Sequence, residues 1–226
     1  MASGEHPDKR AVGLEGSLML CTNCSEPVKP IAAIDIDGVL GNYHEQFTEF
    51  AELYTARSMP RGYTGNNEFS DYLGLDKTLY RQIKLAYRQG GTKRWMPMYA
   101  GADRFMQHLR NLDVEIWIAS TRPWDRLDNI DPDTRFWLTT LEMPFDFMVY
   151  GDDKYDQLAE QINPDRVVAV VEDIERYCYK AQSLFGDVVW QPVREHTEGQ
   201  PYQRTFVGWD DVLVDVEMKV KAWPSS

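Results

Sequence analysis

The feature of this sequence that most restricts its fold is an alternation. Short apolar runs, IAAIDI (31–36), VEIWIAS (114–120), FDFMVY (145–150), RVVAVVE (166–172) and DVVW (187–190), are separated by stretches of helical periodicity. Strands apolar throughout must be covered on both faces, and strands joined by helices pair in parallel. The expected fold class is therefore α/β, a Rossmann-like doubly wound parallel sheet. Helices are expected over EQFTEFAELYTA, where Phe47, Phe50, Ala51 and Tyr54 recur at helical spacing, and over KTLYRQIKLAYRQ, which stops at Gly90 and Gly91. Further helices are expected over ADRFMQHLRNL, DTRFWLTTL, YDQLAEQI, IERYCYKAQSLF and the final WDDVLVDVEMKVKAW. The interval between the first strand and the helix after residue 101 breaks the rhythm. It holds at least two helices, a turn-rich loop (59–74) and no convincing strand, and reads as a small helical cap inserted at about 42–97 of a single domain (30–226). Residues 1–29, rich in Gly, Ser, Pro and charge, read as a tail.

A chain of 226 residues with 43% hydrophobic content can fill one core. It contains no apolar run of about 18 residues and no basic-then-apolar leader, so a soluble, cytoplasmic protein without a membrane partner is expected. The net charge of −12 argues against broad electrostatic capture of nucleic acid, though a local basic patch stays open. Of three cysteines, Cys21 and Cys24 form a CxxC and Cys178 stands apart. Zinc wants four ligands, and only His6 and Cys178 could complete the set, so an incidental pair is the favoured reading.

The first apolar run ends in Asp35, Ile36, Asp37 and Gly38. Side chains two apart on a strand share a side, so these carboxylates converge, where ligands bind beyond the carboxyl ends of parallel strands. Left alone they would repel; a hard cation such as Mg²⁺ would relieve them. DG pairs are also common in plain turns. The other strand ends strengthen the case: Ser120 and Thr121 after the second, Lys154 after the third, Glu172 and Asp173 after the fourth.

This ordered set, DxDGV, then Ser/Thr, then Lys, then an acidic pair, resembles the four-motif pattern of the haloacid dehalogenase superfamily over roughly residues 31–190. The resemblance implies a Mg²⁺-dependent phosphatase. Asp35 would be the nucleophile that forms an aspartyl-phosphate, and Asp37 the acid and base. Ser120, with Thr121, would hold the phosphoryl group, and Lys154 would offset negative charge. Asp35, the main-chain carbonyl of Asp37 and Asp173 would hold the metal. Glu172 stands where relatives often carry Asp, and its longer chain reaches metal through water or directly. Glu175 is a further candidate acid.

For substrate, the segments MPMYAGADRFMQHLR and IASTRP resemble the 5′-deoxyribonucleotidase branch, while STR is also similar to the motif of polynucleotide 3′-phosphatases. Arg122 is a phosphate-binding candidate in either case, against the plainer reading of a surface arginine. Lys77, Arg81, Lys84 and Arg88 share one helix face, Lys93 and Arg94 follow, and no acid lies between residues 77 and 94. This stretch would steer a nucleotide or grip a nucleic acid end, or is an ordinary solvated face. Tyr80, Tyr87, Trp95 and Tyr99 would stack on a base or pack the cap, and a lone His44 carries little weight. The leading expectation is a 5′-nucleotidase acting on nucleoside monophosphates. The alternatives are a 3′-phosphatase on DNA or RNA ends and a non-catalytic nucleotide-binding or regulatory protein. With no P-loop, a fused kinase is excluded.

Overall fold

The computed structural model describes residues 28–223. Most of the expected tail, with His6, Cys21 and Cys24, lies outside the described residues. Six strands, β1 (Ile31–Ile34), β2 (Glu115–Ser120), β3 (Phe147–Tyr150), β4 (Val167–Val171), β5 (Val189–Pro192) and β6 (Thr205–Phe206), form one sheet in the order β3-β2-β1-β4-β5-β6. Every pairing is parallel. Among the described residues eight α-helices accompany them: α1 (Tyr43–Thr55), α2 (Phe69–Tyr72), α3 (Lys77–Gln89), α4 (Ala102–Asn111), α5 (Ile130–Thr140), α6 (Lys154–Gln161), α7 (Glu175–Phe185) and α8 (Trp209–Lys221).

The expected α/β sheet is thus present, with local differences that include the short edge strand β6. The first strand leaves the ladder at Ile34, two residues early, although the Asp35 N–H still reaches the Val171 carbonyl at 3.0 Å. The fifth sits two residues later than DVVW, at VWQP. The turn-rich 59–74 segment contains α2, which buries Phe69 in the cluster formed by α1 and α3.

Alternate strand residues feed two cores. Ala32, Ile34, Ile116 and Ile118 pack with α4, α5 and α8, and Ile31, Ala33, Trp117 and Ala119 pack with α6 and α7. Covering both faces is what lets β1 and β4 be wholly apolar and fully buried. Helices α1, α2 and α3 bury a third cluster, Phe47, Ala51, Met59, Phe69, Leu73, Leu75, Ile83 and Tyr87. Helix α3 starts where the Asp76 carboxylate accepts from the Thr78 and Leu79 N–H groups, both at 2.9 Å. It stops at Gly90, and Gly91 then turns back through a left-handed φ of 68°. That turn sends Lys93 inward.

The chain runs β1, β2, β3 outward on one side and then crosses to place β4 on the other side of β1. The crevice at this reversal, beyond the carboxyl ends of β1 and β4, is where an open parallel sheet binds ligands. No helix among the described residues is long and apolar enough to cross a membrane.

Candidate active site

The expected residues from four adjacent strand ends do meet at this reversal. Asp35 follows β1, Ser120 ends β2, Lys154 opens α6 after β3, and Glu172 and Asp173 follow β4. The Lys154 side chain is fully buried; its Nζ lies 2.7 Å from Asp35 Oδ1, 2.6 Å from Glu172 Oε2 and 3.1 Å from the Ala119 carbonyl. Burial works against its charge, but Asp35 and Glu172 overcome it and hold the ammonium above its ordinary pKa. Burial pushes the Asp35 carboxyl up to about 7, against the pull of Lys154.

Asp35, Glu172 and Asp173 can bring one oxygen each within 4.8 Å of one another. Three carboxyl groups share the one buried ammonium of Lys154, an excess of acid that a divalent cation would balance. The donor atoms separate the acids further. Glu172 is engaged at both oxygens: Oε2 with Lys154 and the Tyr155 hydroxyl (2.7 Å), Oε1 with the Ile174 N–H (3.0 Å). Asp173 accepts at Oδ2 from His196 Nε2 (3.0 Å), while its Oδ1 is buried without a partner. A buried carboxylate oxygen without a partner, on an acid that clusters with Asp35, fits a hard cation. The residues therefore fit Mg²⁺, with Asp35 and Asp173 presenting oxygens and Glu172 fixing Lys154. Cys178 is buried on α7 with its thiol on the Glu172 carbonyl (3.4 Å), and burial pushes that thiol up. Glu175 opens α7 and is not among these three acids.

Gly38 makes the approach of Asp173 feasible. Its φ is +94°, and a Cβ there would lie 2.0 Å from Asp173 Oδ2 and 2.9 Å from His196 Nε2. Glycine is thus required at position 38 for conformation and for space.

Asp37, two residues further on, has a different electrostatic setting. Arg122 grips both its oxygens, Nη2 to Oδ1 at 2.7 Å and Nε to Oδ2 at 3.2 Å, and Lys93 also donates to Oδ2. Burial alone would raise the Asp37 pKa, but Arg122 and Lys93 hold it well below the usual carboxylate range. Burial and the Arg122 charge push Lys93 down to about 7, against Asp37. Arg122 is buried, and its Nη1 donates to Thr134 Oγ1 at 2.8 Å, so it is no surface arginine. Two basic side chains thus face one carboxylate here. Ser120 is buried at the end of β2 and Thr121 is half-buried beside it.

The basic stretch divides along α3. Lys77 and Arg81 are exposed, whereas Lys84 and Arg88 are half-buried nearer Asp37. Burial, then the neighbouring charge of Arg88, pushes Lys84 down to about 8, against the attraction of Asp37. Arg94 is tied to Asp133 at 2.6 Å and leaves the basic face. Tyr80 and Tyr87 pack in the α1–α3 cluster, and Trp95 meets Phe136 edge-on. Tyr99 instead lines a cavity of about 540 Å³, together with His44, Tyr63, Tyr72, Arg194 and His196.

Sequence reasoning missed the roles of Lys93 and His196. The glycine pair before Lys93 signalled a turn, and His196 follows a strand end, the one cue available for it.

No protein-family model and no curated protein sequence matches the chain. Solved structures do. A haloacid dehalogenase-like hydrolase from Streptococcus pneumoniae superposes with a TM-score of 0.57 at 13% identity, covering 82% of this chain and 97% of that one. A predicted phosphatase from Clostridium acetobutylicum gives a TM-score of 0.60 at 14% identity over 85% and 100% of the two chains. CbbY from Rhodobacter sphaeroides, solved in complex with phosphate, gives 0.58 at 16% identity over 84% and 100%. The chain shares the α/β fold of the haloacid dehalogenase-like hydrolases.

Proposed function

We propose that this protein is a Mg²⁺-dependent phosphomonoesterase that works through an aspartyl-phosphate on Asp35. One observation carries the reading: at the sheet's reversal point the buried acids Asp35, Glu172 and Asp173 gather with Lys154, while Asp37, two residues from Asp35, is gripped by Arg122 and Lys93. The first suits a divalent cation and the second a phosphoryl group. Bound there, Mg²⁺ would supply charge neutralisation to the phosphoryl oxygens.

The chain's own residues take the remaining tasks. Asp35 attacks phosphorus, forming the Asp35 Oδ–P bond as the ester P–O bond breaks. Lys154 aims the nucleophile through its 2.7 Å contact. Ser120 and Thr121, at the end of β2, hold phosphoryl oxygens. Arg122 and Lys93 offset charge on the side of Asp37. Asp37 gives a proton to the leaving oxygen and then takes one from the water that cleaves the acyl-phosphate.

Residues 42–97 act as the cap, built on its own apolar cluster. Lys84 and Arg88, without a carboxylate partner among the described residues, face the site from it. These cations and the tyrosine-lined cavity support a nucleoside monophosphate as substrate. Lys77 and Arg81 continue the basic face into solvent, which favours a 3′-phosphorylated strand end as the second reading.

The test is phosphate release with and without Mg²⁺ from 5′- and 3′-mononucleotides, a 3′-phosphorylated oligonucleotide and sugar phosphates. Mg²⁺-dependent release, lost in a folded Asp35→Asn variant, is expected, with 5′-mononucleotides preferred. Undiminished release by that variant would reject the nucleophile; preference for sugar phosphates would reject the nucleotide reading.

A further inference from the structure

The loop after β5 carries a residue that no motif announces. His196 sits in a short turn (Glu195–Thr197) whose position is fixed from both ends. The Thr197 hydroxyl donates to the Pro192 carbonyl at 2.9 Å, and the Thr197 N–H reaches the Arg194 carbonyl at 3.0 Å. From that anchored turn the imidazole enters the protein, its side chain 7% exposed, and meets the Asp173 side chain, 3% exposed.

The contact is one-sided. His196 Nε2 lies 3.0 Å from Asp173 Oδ2, and Oδ1 is left buried and unpartnered. A carboxylate oxygen only accepts, so Nε2 is the donor. With one oxygen tethered, the carboxylate cannot rotate freely, and Asp173 stays clustered with Asp35 and Glu172, one oxygen of each lying within 4.8 Å of the others. Gly38 leaves the room for this arrangement, since a side chain there would strike both partners.

His196 is itself braced by the cap side. The His44 ring lies against it, centroids 4.4 Å apart. His44 in turn meets Phe69 edge-on at 4.9 Å and Tyr63 at 5.2 Å. Packing therefore runs from the α1–α3 cluster through His44 and His196 to Asp173.

We infer that His196 is a positioning residue: by donating to Asp173 Oδ2 it presents Oδ1 to a divalent cation, and the cap braces it there through His44. This rests on the proposed metal-dependent reading of the site. Groups that orient metal ligands without touching the metal typically change affinity by about 10–100-fold when removed.

The experiment measures Mn²⁺ binding, as a Mg²⁺ substitute, by calorimetry and by loss of the free Mn²⁺ electron paramagnetic resonance signal. The full-length parent is compared with His196→Leu, which keeps bulk without a donor, and His196→Gln, which keeps a donor at similar reach. The expected result is a Kd raised about 10-fold or more in the Leu variant and largely restored in the Gln variant, with both melting near the parent. Equal affinity in the Leu and Gln variants, whether strong or weak, overturns the positioning role while leaving the metal site standing. No Mn²⁺ binding by the parent overturns the metal reading and this inference together.

Discussion

Replacing Lys154 with Met tests the charge arrangement at its centre. The side chain is fully buried between Asp35 and Glu172, whose side chains are 6% and 0% exposed. Met keeps most of the volume, so packing changes little, but two buried carboxylates lose their counter-charge. Breaking a buried pair by removing one partner costs about 3–5 kcal/mol. At about 2–4 °C per kcal/mol for a chain of this size, the expected fall in Tm is roughly 6–20 °C at pH 8. The pH dependence has a definite sign. Asp35 already has a folded pKa raised to about 7, and that of Glu172 is also raised; both climb further without Lys154. Between the unfolded carboxyl values near about 4 and those folded values, the native state binds more protons than the unfolded state. Stability of the variant therefore falls as pH rises through this window, and the deficit against the parent is widest above pH 7. Calorimetric melting at pH 5 and pH 8, without added metal, should show the deficit at pH 5 well below that at pH 8. A fall in Tm that is the same at both pH values would refute the electrostatic reasoning and leave a packing defect. An unchanged Tm at pH 8 would refute the buried pairing itself.

Two other perturbations separate substrate binding from assembly of the site. Lys84→Glu with Arg88→Glu should raise KM more than it lowers kcat, because both residues are half-buried on α3, the Asp37 charge reaches Lys84, and neither pairs with an acid of the Asp35–Glu172–Asp173 cluster; steady-state constants left unaffected would remove α3 from substrate binding. Gly38→Ala should lower stability by about 1–3 kcal/mol from backbone strain alone and weaken Mn²⁺ binding, since the new Cβ falls 2.0 Å from Asp173 Oδ2; a variant with parental Tm and Mn²⁺ affinity would show that the loop moves aside.

The sheet was legible chiefly because β1 and β4 at its centre are buried on both faces and so are spelled in continuous apolar residues. The sixth strand was not. Thr205 and Phe206 form a two-residue edge strand fixed by the Val193 N–H on the Phe206 carbonyl, and two residues carry no period. The site residues at strand ends were legible because topology alone brings such ends together. Charge partners were not, since pairing depends on where a loop turns. Lys93 and Arg94 are neighbours in sequence, yet one is buried against Asp37 and the other tied to Asp133. Likewise Arg122 could be placed beside the site from sequence, but its double grip on Asp37 follows from Thr134 on α5 holding its other nitrogen.

The two carboxylates at the end of β1 are poised opposite to their proposed roles. The nucleophile Asp35 must be ionised, yet burial lifts it to about 7; the acid Asp37 must carry a proton, yet Arg122 and Lys93 keep it ionised. Each mismatch would be reduced by the ligand proposed for that group. A cation beside Asp35 and Asp173 favours ionised Asp35, because a bound divalent ion is the largest local charge and reverses the effect of burial. A phosphoryl dianion near Arg122 and Lys93 takes up part of their field and repels the Asp37 carboxylate, which raises its pKa. On the proposed mechanism, metal and substrate thus each shift one carboxylate toward the protonation state its role requires. Such coupling follows from four residues, Asp35, Asp37, Arg122 and Lys93, and needs no movement of the sheet that carries them.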